Sequence, residues 1–393
     1  MTTRRTVLLG GLSLAGLAAC TSQEPSQTAS APTSQTPGGS PATSAPASSP
    51  APSTSAPPSS TTPSTTTASS PGPTALSIGT PTDLVTGLTT PWGLRSLDDA
   101  TLLVSERDTG AIKVVRDGKA TQIGEVQGVR ASGEAGLLGI ELSTDHKALF
   151  VYLSTSSDNR VVRYDFTGSA FSNHRVLLKD IPAAGFNNGG QLALGPDGHL
   201  YISTGDAANR QSAQDRTSLA GKVLRIAVDG SVPSDNPFGN PVWSLGHRNV
   251  QGLTFAPDGG LWSAEFGEKS ADELNLIAKG GNYGWPAVEG NEGQRAPFIA
   301  PKATWEPTAS SSPSSLAYAQ GNVWVASLIG STLFQVPVNG STAGDPVAHF
   351  ADEFGRLRAV VAHGDGIVFG TSNTDGRSSP RQGDDRLVYL PLR

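Results

Sequence analysis

The most constraining feature of this sequence is a local pattern that recurs six times, consisting of a turn followed by two β-rich runs. Asp-Gly pairs and related turn residues open most copies, because glycine supplies a positive φ without steric cost. β-Branched and aromatic residues dominate the runs and favour strands. The paired runs occupy residues 101–105 with 112–115, 148–153 with 160–164, 199–204 with 222–226, 260–264 with 273–277, 322–326 with 332–336, and 367–371 with 386–390.

This periodicity predicts the fold class. Six copies over residues 77–393 leave about 53 residues per copy, enough for a four-stranded antiparallel blade. We therefore expect an all-β, six-bladed β-propeller, with a pair of stacked β-sheets as the alternative. In a propeller the inter-strand loops gather at one mouth of a central channel, so functional residues should come from several blades.

The N-terminal segment differs in character from the rest of the chain. Arg4 and Arg5 precede a short apolar run that ends in Leu-Ala-Ala-Cys20. The run is shorter than the roughly 20 apolar residues that span a bilayer, and it is typical of a secretory signal. The ending resembles a bacterial lipobox, so residues 1–20 are expected to be a lipoprotein signal peptide with Cys20 lipidated. The alternative is an ordinary signal peptide with a chance cysteine.

Residues 21–76 consist almost entirely of Ser, Thr, Pro and Ala, with Glu24 as their only charge. Such a segment cannot bury enough apolar surface to fold, so it is expected to be a disordered linker. The remaining domain, 77–393, carries 26 basic and 33 acidic residues, a formal charge of −7. An acidic domain is a poor partner for nucleic acid, whose phosphates require a basic face.

Two groups of charged residues suggest chemistry. Arg356 and Arg358 alternate along an expected strand, and two guanidinium groups on one face suit a polycarboxylate or a phosphate. Four acidic residues next to glycine-rich turns suit a hard cation such as calcium. They are Glu265, Glu268, Asp272 and Glu273. Spacing alone is equally compatible with a solvated arginine edge and a solvated acidic loop.

An ordered set of motifs is more specific. Together the motifs resemble the soluble pyrroloquinoline-quinone (PQQ)-dependent sugar dehydrogenases of the glucose/sorbosone dehydrogenase family, over essentially all of residues 80–393. The motifs are Pro91-Trp-Gly-Leu, Ser105-Glu-Arg-Asp-Thr-Gly, Gly133-Glu-Ala-Gly-Leu-Leu-Gly, Gly195-Pro-Asp-Gly, Gly246-His-Arg-Asn, Gly281-Asn-Tyr-Gly-Trp-Pro and Gly355-Arg-Leu-Arg.

The resemblance implies a six-bladed propeller that holds PQQ in its top cleft, with calcium beside it. Arg248 and Asn249 match the family's quinone-contacting pair, and Arg356 and Arg358 match the arginines that meet the quinone carboxylates. Glu134 stands where the family often has a quinone-contacting glutamine.

Calcium positions are also implied by the resemblance. Gly267 and Glu268 match the turn whose backbone carbonyls hold the cofactor calcium. Glu273 and Tyr283 match a second, structural calcium site.

The sequence departs from the family in the stretch Gly185-Phe-Asn-Asn-Gly-Gly-Gln191. Asn187 replaces the histidine that takes the sugar hydroxyl proton, and a neutral amide has no useful proton affinity near pH 7. Gln191 replaces an arginine, and Ile329 stands where the family usually has a lysine or arginine that helps hold the quinone.

The resemblance implies oxidation of an aldose C1 hydroxyl to the lactone, with hydride transfer to PQQ and electrons passing to an acceptor. Asn187 predicts reduced turnover unless another base acts, with His247, Glu106 and Asp108 as candidates. The alternatives are a non-catalytic propeller that binds a carbohydrate or a partner in the cell envelope and, less favoured, a metal-dependent lactonase. Lipidation at Cys20 would anchor the protein to the outer face of the bacterial cytoplasmic membrane.

Overall fold

Six antiparallel sheets form the fold in a computed structural model that describes residues 76–293 and 296–393. The predicted signal peptide with Cys20, and linker residues 21–75, lie outside the described residues. The described part contains no helix that is long and apolar enough to cross a membrane. Its helical structure is three short 3-10 turns, Arg210–Gln214, Gly290–Gly293 and Thr308–Ser310.

The first three blades follow one another along the chain, each with four strands. Blade 1 contains β2 (Pro91–Asp98), β3 (Thr101–Glu106), β4 (Ala111–Arg116) and β5 (Lys119–Glu125). Blade 2 contains β6 (Leu137–Leu142), β7 (Ala148–Ser154), β8 (Asn159–Phe166) and β9 (Phe171–Ile181). Blade 3 contains β10 (Leu192–Leu194), β11 (His199–Ser203), β12 (Lys222–Ala227) and β13 (Val242–Leu245).

The last three blades complete the circle. Blade 4 contains β14 (Val250–Phe255), β15 (Leu261–Glu265), β16 (Asp272–Ile277) and β17 (Ala303–Trp305). Blade 5 contains β18 (Pro313–Ala319), β19 (Asn322–Ser327), β20 (Leu333–Asn339), β21 (Thr342–Ala343) and β22 (Val347–His349). Blade 6 contains β23 (Leu357–His363), β24 (Gly366–Thr371), β25 (Leu387–Pro391) and, at its outer edge, β1 (Thr82–Val85).

These sheets confirm the six-bladed propeller. Each predicted pair of runs coincides with the second and third strands of one blade. Blade 5 differs from the four-stranded pattern, because β21 and β22 pair with opposite ends of β20 and divide the outer strand into two pieces.

The innermost strands enclose the central channel. Each of β2, β6, β10, β14, β18 and β23 contacts the next around a closed ring. A cavity of about 260 Å³ takes part of its lining from all six. The second and third strands lie between neighbouring blades and are buried on both faces, as β7 shows at every residue. The apolar core is therefore a set of inter-blade layers, such as Phe150 and Tyr152 of blade 2 packed with Leu200 and Ile202 of blade 3.

Candidate active site

A cleft of about 450 Å³ opens where loops of blades 1 to 6 converge. It brings together six of the ten site residues that the sequence singles out: Glu134, Asn187, Arg248, Gly267, Arg356 and Arg358. Glu134, Asn187 and Arg248 precede the inner strands of blades 2, 3 and 4. Gly267 lies between β15 and β16 of blade 4, and Arg356 and Arg358 lie at the start of β23 in blade 6. Phe186 and Ile329, which are 50% and 55% exposed, add an apolar rim.

Arg358 is a buried cation at the wall of this cleft. Its guanidinium donates to Gln251 Oε1 at 2.7 Å and to Ser314 Oγ at 2.9 Å, and both partners are neutral. Burial lowers its pKa to about 9, and repulsion from Arg107 adds to the effect while Glu134 opposes it. Arg358 forms no ion pair with any described carboxylate, so its charge is available to an anionic ligand.

Arg356 is held differently. Its Nη2 lies 3.0 Å from Asp375 Oδ2, and the side chain of Asp375 is fully buried. Arg377 Nη1 approaches the same oxygen at 3.7 Å. Arg356 and Arg377 therefore share one carboxylate, which leaves this side of the cleft with a net positive charge.

Arg248 and Asn249 follow the outer strand of blade 3. Arg248 Nη1 donates to the Phe266 carbonyl at 3.2 Å, and its backbone amide donates to Glu265 Oε1. Asn249 Oδ1 accepts the Gly189 amide at 3.0 Å, which fixes the orientation of the side chain. Asn249 Nδ2 is buried and has no partner among the described groups, an arrangement that is costly unless a ligand supplies an acceptor.

Asn187 has a positive φ of 59°, a conformation that asparagine tolerates better than most residues. Its Nδ2 donates to Asp206 Oδ1 at 2.9 Å. Asp206 is buried at the end of β11 and also accepts Trp285 Nε1 at 2.9 Å and the Ala208 amide at 3.0 Å. One N–H of the Asn187 side chain is thus bonded to Asp206, and Oδ1 is the atom that can accept a ligand hydroxyl.

Glu134 joins two loops at the cleft. Its backbone amide donates to the Gly185 carbonyl at 2.9 Å, and its Oε2 accepts the Asn187 amide at 2.9 Å. The loops approach closely, because a Cβ on Gly133 would lie 2.2 Å from the Gly185 oxygen. Glycine is therefore required at 133, where φ is +63°, and the carboxylate of Glu134 is held beside Asn187.

The turn at Gly267 and Glu268 is organised by acidic side chains. Gly267 donates its amide to Asp272 Oδ1 at 2.9 Å, and a Cβ there would lie 1.9 Å from the Ala271 oxygen. Glu289 Oε1 accepts consecutive backbone amides from residue 268 onward, the closest being that of Glu268 at 2.6 Å. The Glu268 side chain turns away toward Arg210, with Oε2 at 3.3 Å from the guanidinium, so the backbone is the part of Glu268 that faces this turn.

Glu273 and Tyr283 lie beside a void of about 10 Å³ that Glu265 and Glu289 also line. Glu273 accepts the Gly290 amide at 2.7 Å and Asn275 Nδ2 at 2.9 Å. Burial raises its pKa to about 8, and repulsion from Glu265 adds to the effect. In the described part of the chain, no three His, Cys, Asp or Glu side chains form a metal-binding group on their own.

Three candidates for a replacement base are placed away from the cleft. His247 is fully buried, with Nε2 at 2.8 Å from Ser244 Oγ and Nδ1 at 2.8 Å from Glu265 Oε2. Glu106 is 1% exposed and lies 2.6 Å from Lys113 Nζ. Asp108 pairs with its neighbour, Arg107, at 2.6 Å. The expectation that one of these groups could act as the base is not supported by this geometry.

The two other positions at which the sequence differs from the family, Gln191 and Ile329, lie in different environments. Ile329 lines the cleft, whereas Gln191 is 2% exposed and is not among the lining residues. Sequence reasoning missed Asp206, Trp285 and Phe186. The acidic residue that ends the run Tyr-Ile-Ser-Thr-Gly-Asp206 was a usable signal, because a carboxylate at a strand end is a frequent site residue.

Comparisons with known proteins agree with this architecture. The sequence model of the Glucose / Sorbosone dehydrogenase family matches residues 88–379. Quinoprotein glucose dehydrogenase B of Acinetobacter calcoaceticus is 34% identical over 249 residues, which cover 53% of this chain and 52% of that protein. Aldose sugar dehydrogenase YliI of Escherichia coli (strain K12) is 31% identical over 217 residues, which cover 50% of this chain and 58% of that protein.

A solved structure extends the likeness to nearly the whole propeller. The PQQ-bound form of aldose sugar dehydrogenase from Streptomyces coelicolor is 43% identical, with a TM-score of 0.78, and the match covers 82% of this chain and 99% of that one. The chain spans only 52% and 58% of the two curated relatives named above. The match over residues 88–379 includes most of the described domain and all of its cleft-lining arginines, and the chain belongs to the glucose/sorbosone dehydrogenase family.

Proposed function

We propose that this protein is a PQQ-dependent aldose dehydrogenase that oxidises the C1 hydroxyl of a sugar to the lactone. The observation that carries the proposal is Arg358, a buried guanidinium without a carboxylate partner among the described residues, at the wall of a cleft that Arg248 and Arg356 also line. A buried charge is costly unless it is paired, so this wall is built to receive an anion.

The residues present fit an anionic quinone. Arg248, Arg356 and Arg358 would bind its carboxylates and carbonyl oxygens. Asn249 is fully buried and is not among the lining residues, and it would support the site through the Gly189 amide that its Oδ1 accepts. When bound, PQQ supplies a two-electron acceptor for the hydride that leaves the sugar. The cleft volume of about 450 Å³ falls in the range of small-molecule sites.

Calcium is the second cofactor that we propose. The carbonyls of Gly267 and Glu268 would hold it at the cleft, where glycine is needed because a Cβ at 267 would collide with the Ala271 oxygen. Glu273 and Tyr283 would hold a second ion at the small void lined by Glu265 and Glu289. The Tyr283 hydroxyl already donates to the Leu276 carbonyl at 2.6 Å, so its backbone oxygen is the available ligand.

The sugar would be positioned by residues around Asn187. Asn187 Oδ1 can accept a sugar hydroxyl, and the Asp206 carboxylate keeps the amide in that orientation. The exposed ring of Phe186 offers an apolar surface on which the face of a sugar ring can pack. Neither residue removes a proton at neutral pH, which is the observation that favours the alternative function, a non-catalytic carbohydrate-binding propeller.

Export and anchoring complete the proposal. Arg4, Arg5 and the sequence Leu-Ala-Ala-Cys20 support a lipoprotein that is displayed on the outer face of the cytoplasmic membrane. Replacing Cys20 by alanine should release the protein from the membrane fraction. Unchanged fractionation of the Cys20→Ala variant would contradict lipidation at this residue.

Calorimetric titration of the calcium-loaded protein with PQQ tests the cofactor. Replacing Arg358 by methionine should weaken binding by about 1.5–3 kcal/mol, the value of a hydrogen bond to a charged group. The same change should leave the free protein equally stable or more stable, because it removes a buried charge without a carboxylate partner. Arg163→Met, at a site outside the cleft lining, is the matched control. Absence of PQQ binding by the natural protein would overturn the proposed function.

A further inference from the structure

The proposed reaction needs a group that accepts the proton of the sugar hydroxyl, and Asn187 cannot be that group. Two carboxylates, those of Glu134 and Asp272, line the same cleft as Asn187. His247, Glu106 and Asp108 are buried or paired elsewhere, as described above. The choice of base among the carboxylates that line the cleft therefore lies between Glu134 and Asp272.

Asp272 is committed to the backbone. Its Oδ1 accepts the Gly267 amide at 2.9 Å and its Oδ2 accepts the Ser312 amide at 2.7 Å. The side chain is 1% exposed. Oδ1 holds the turn that we assign to calcium and Oδ2 holds the loop at Ser312, so neither oxygen is free to accept the sugar hydroxyl.

The carboxylate of Glu134 has one oxygen that is not hydrogen-bonded. Oε2 accepts the backbone N–H of Asn187 at 2.9 Å, whereas Oε1 has no hydrogen-bond partner among the described residues. The residue is partly exposed to the cleft. The backbone N–H of Asn187 holds the carboxylate through Oε2, so the free oxygen lies in the cleft that Asn187 also lines.

We propose that Glu134 is the catalytic proton acceptor of this protein and acts in place of the missing histidine. This inference rests on the proposed function, which supplies the quinone. The C1 hydroxyl of the sugar would give its proton to Glu134 Oε1 while the C1 hydrogen leaves with its bonding pair as a hydride, for which bound PQQ would be the acceptor, and the C1–O bond would become the lactone carbonyl. The sugar loses two electrons and two hydrogens, and Glu134 then passes its proton to water.

Glu134 interacts electrostatically with Arg358 at this wall of the cleft. Arg107 also lies near enough to Arg358 to repel it, and Asp206 accepts the side-chain amide of Asn187. A carboxylate that is ionised at neutral pH can act as a general base. It is a weaker base than an imidazole, so turnover is expected to be slower than with a histidine at 187.

Glu134→Gln is the decisive variant, because glutamine keeps the size of the side chain and an oxygen that can accept the backbone N–H of Asn187. We expect kcat with an aldose to fall by about 100-fold or more. We expect the affinity for PQQ, measured by titration of the calcium-loaded protein, to stay the same or to rise by up to about 10-fold, because a negative charge leaves an anion-binding cleft. The acidic limb of the pH profile of kcat/KM should disappear with the carboxylate. Glu125→Gln, which changes an exposed glutamate of β5, is the control.

The outcomes separate the two proposals. Loss of kcat with PQQ binding intact supports Glu134 as the base, whereas a parallel loss of both would show that it only positions the cofactor. Turnover that is unchanged in Glu134→Gln would overturn this inference and leave the proposed function standing. Natural protein that binds PQQ but oxidises no aldose would overturn the inference together with the catalytic part of the proposed function. Failure of the natural protein to bind PQQ would overturn the proposed function as a whole.

Discussion

At the scale of single residues, Asn187 decides how the cleft can work. Its positive φ of 59° and its bond to Asp206 fit an asparagine, and the same position can accept a histidine whose Nδ1–H would donate to the Asp206 carboxylate. A histidine held in this way would present Nε2 to the cleft. We therefore expect Asp206 to orient a histidine introduced at position 187.

We predict that Asn187→His raises kcat by about 10-fold in the natural background, because an imidazole has a pKa nearer to neutral pH than a carboxylate has. In the Glu134→Gln background the gain should be about 100-fold or more, since no other base competes. Dye-linked oxidation of a panel of aldoses measures both. Adding Ile329→Lys, at an exposed position of the cleft rim, should tighten PQQ binding without changing this comparison. Equal gains in the two backgrounds would contradict the role of Glu134.

The buried carboxyl of Glu273 predicts how calcium and pH act together. Burial and Glu265 raise its pKa to about 8, above the value of about 4.3 in an unfolded chain. The folded state therefore binds this proton more tightly, and without calcium the protein should lose stability as pH rises from about 4 to 8. Calcium would compensate the ionised carboxylates, so its stabilising effect should grow over the same range.

Thermal melting at pH 5 and pH 8, with calcium or with chelator, measures this effect. We expect calcium to raise the melting temperature more at pH 8 than at pH 5. In Glu273→Gln the difference between the two pH values should shrink, because the titrating group is absent. A calcium effect that is equal at both pH values would count against an ion at the void beside Glu273.

At the scale of elements, the second and third strands of every blade were predictable and the inner strands were not. The middle strands lie between blades and are apolar on both faces, so they read as continuous β-rich runs. The inner strands crowd around the channel and contain glycines that the crowding requires. A Cβ on Gly252 of β14 would lie 2.4 Å from the Ser314 oxygen, and one on Gly139 of β6 would lie 2.3 Å from the Gly190 oxygen. Glycine weakens the sequence pattern that predicts a strand. The contact that requires glycine comes from the neighbouring blade, so it cannot be recognised from the local sequence.

The residues of the cleft also divide into those that the sequence predicted and those that it did not. The arginines were recognisable from their motifs, because their chemistry depends on residue type. The link between Glu134 and Asn187 was not, since 53 residues separate them and only the contact between blades 2 and 3 brings them together. The assignment of Glu134 thus required the structure, whereas the loss of the histidine was visible in the sequence.

The close packing of the inner strands around the channel can be tested by replacing a glycine of one of them. Gly252→Ala should destabilise the propeller by about 1–3 kcal/mol, the usual cost of overpacking, because backbone of β18 must move. Gly344→Ala is the control, since the nearest atoms to its Cβ would lie at 3.6 Å, an ordinary contact. Urea unfolding of both variants measures the difference. A Gly252→Ala variant as stable as Gly344→Ala would show that the inner strands can separate without cost.

At the scale of the whole molecule, the propeller is closed by pairing the first described strand with the last strand of the chain. β1 pairs with β25 in blade 6, with Thr82 opposite Tyr389 and Val85 opposite Leu387. Val85 is 7% exposed and packs in one apolar cluster with Leu387 and Val368. The cleft depends on this closure, because Arg356 and Arg358, at the start of the inner strand of the same blade, line it together with Arg248 from the connection between blades 3 and 4.

Two truncations test the closure. Removing residues 1–75 deletes the Ser/Thr/Pro/Ala-rich segment, whose composition predicts no contribution to the core, so the melting temperature should not change. Removing residues 1–86 also deletes β1, which exposes the edge of β25 and removes the buried Val85. Loss of one buried side chain of this size costs about 1.5–3 kcal/mol and should lower the melting temperature by about 3–6 °C. PQQ affinity should fall as well, because blade 6 carries three of the cleft arginines, Arg356, Arg358 and Arg377. If both truncated proteins melt at the same temperature and bind PQQ equally, the outer strand of blade 6 is dispensable, and the ring is closed by the inner strands alone.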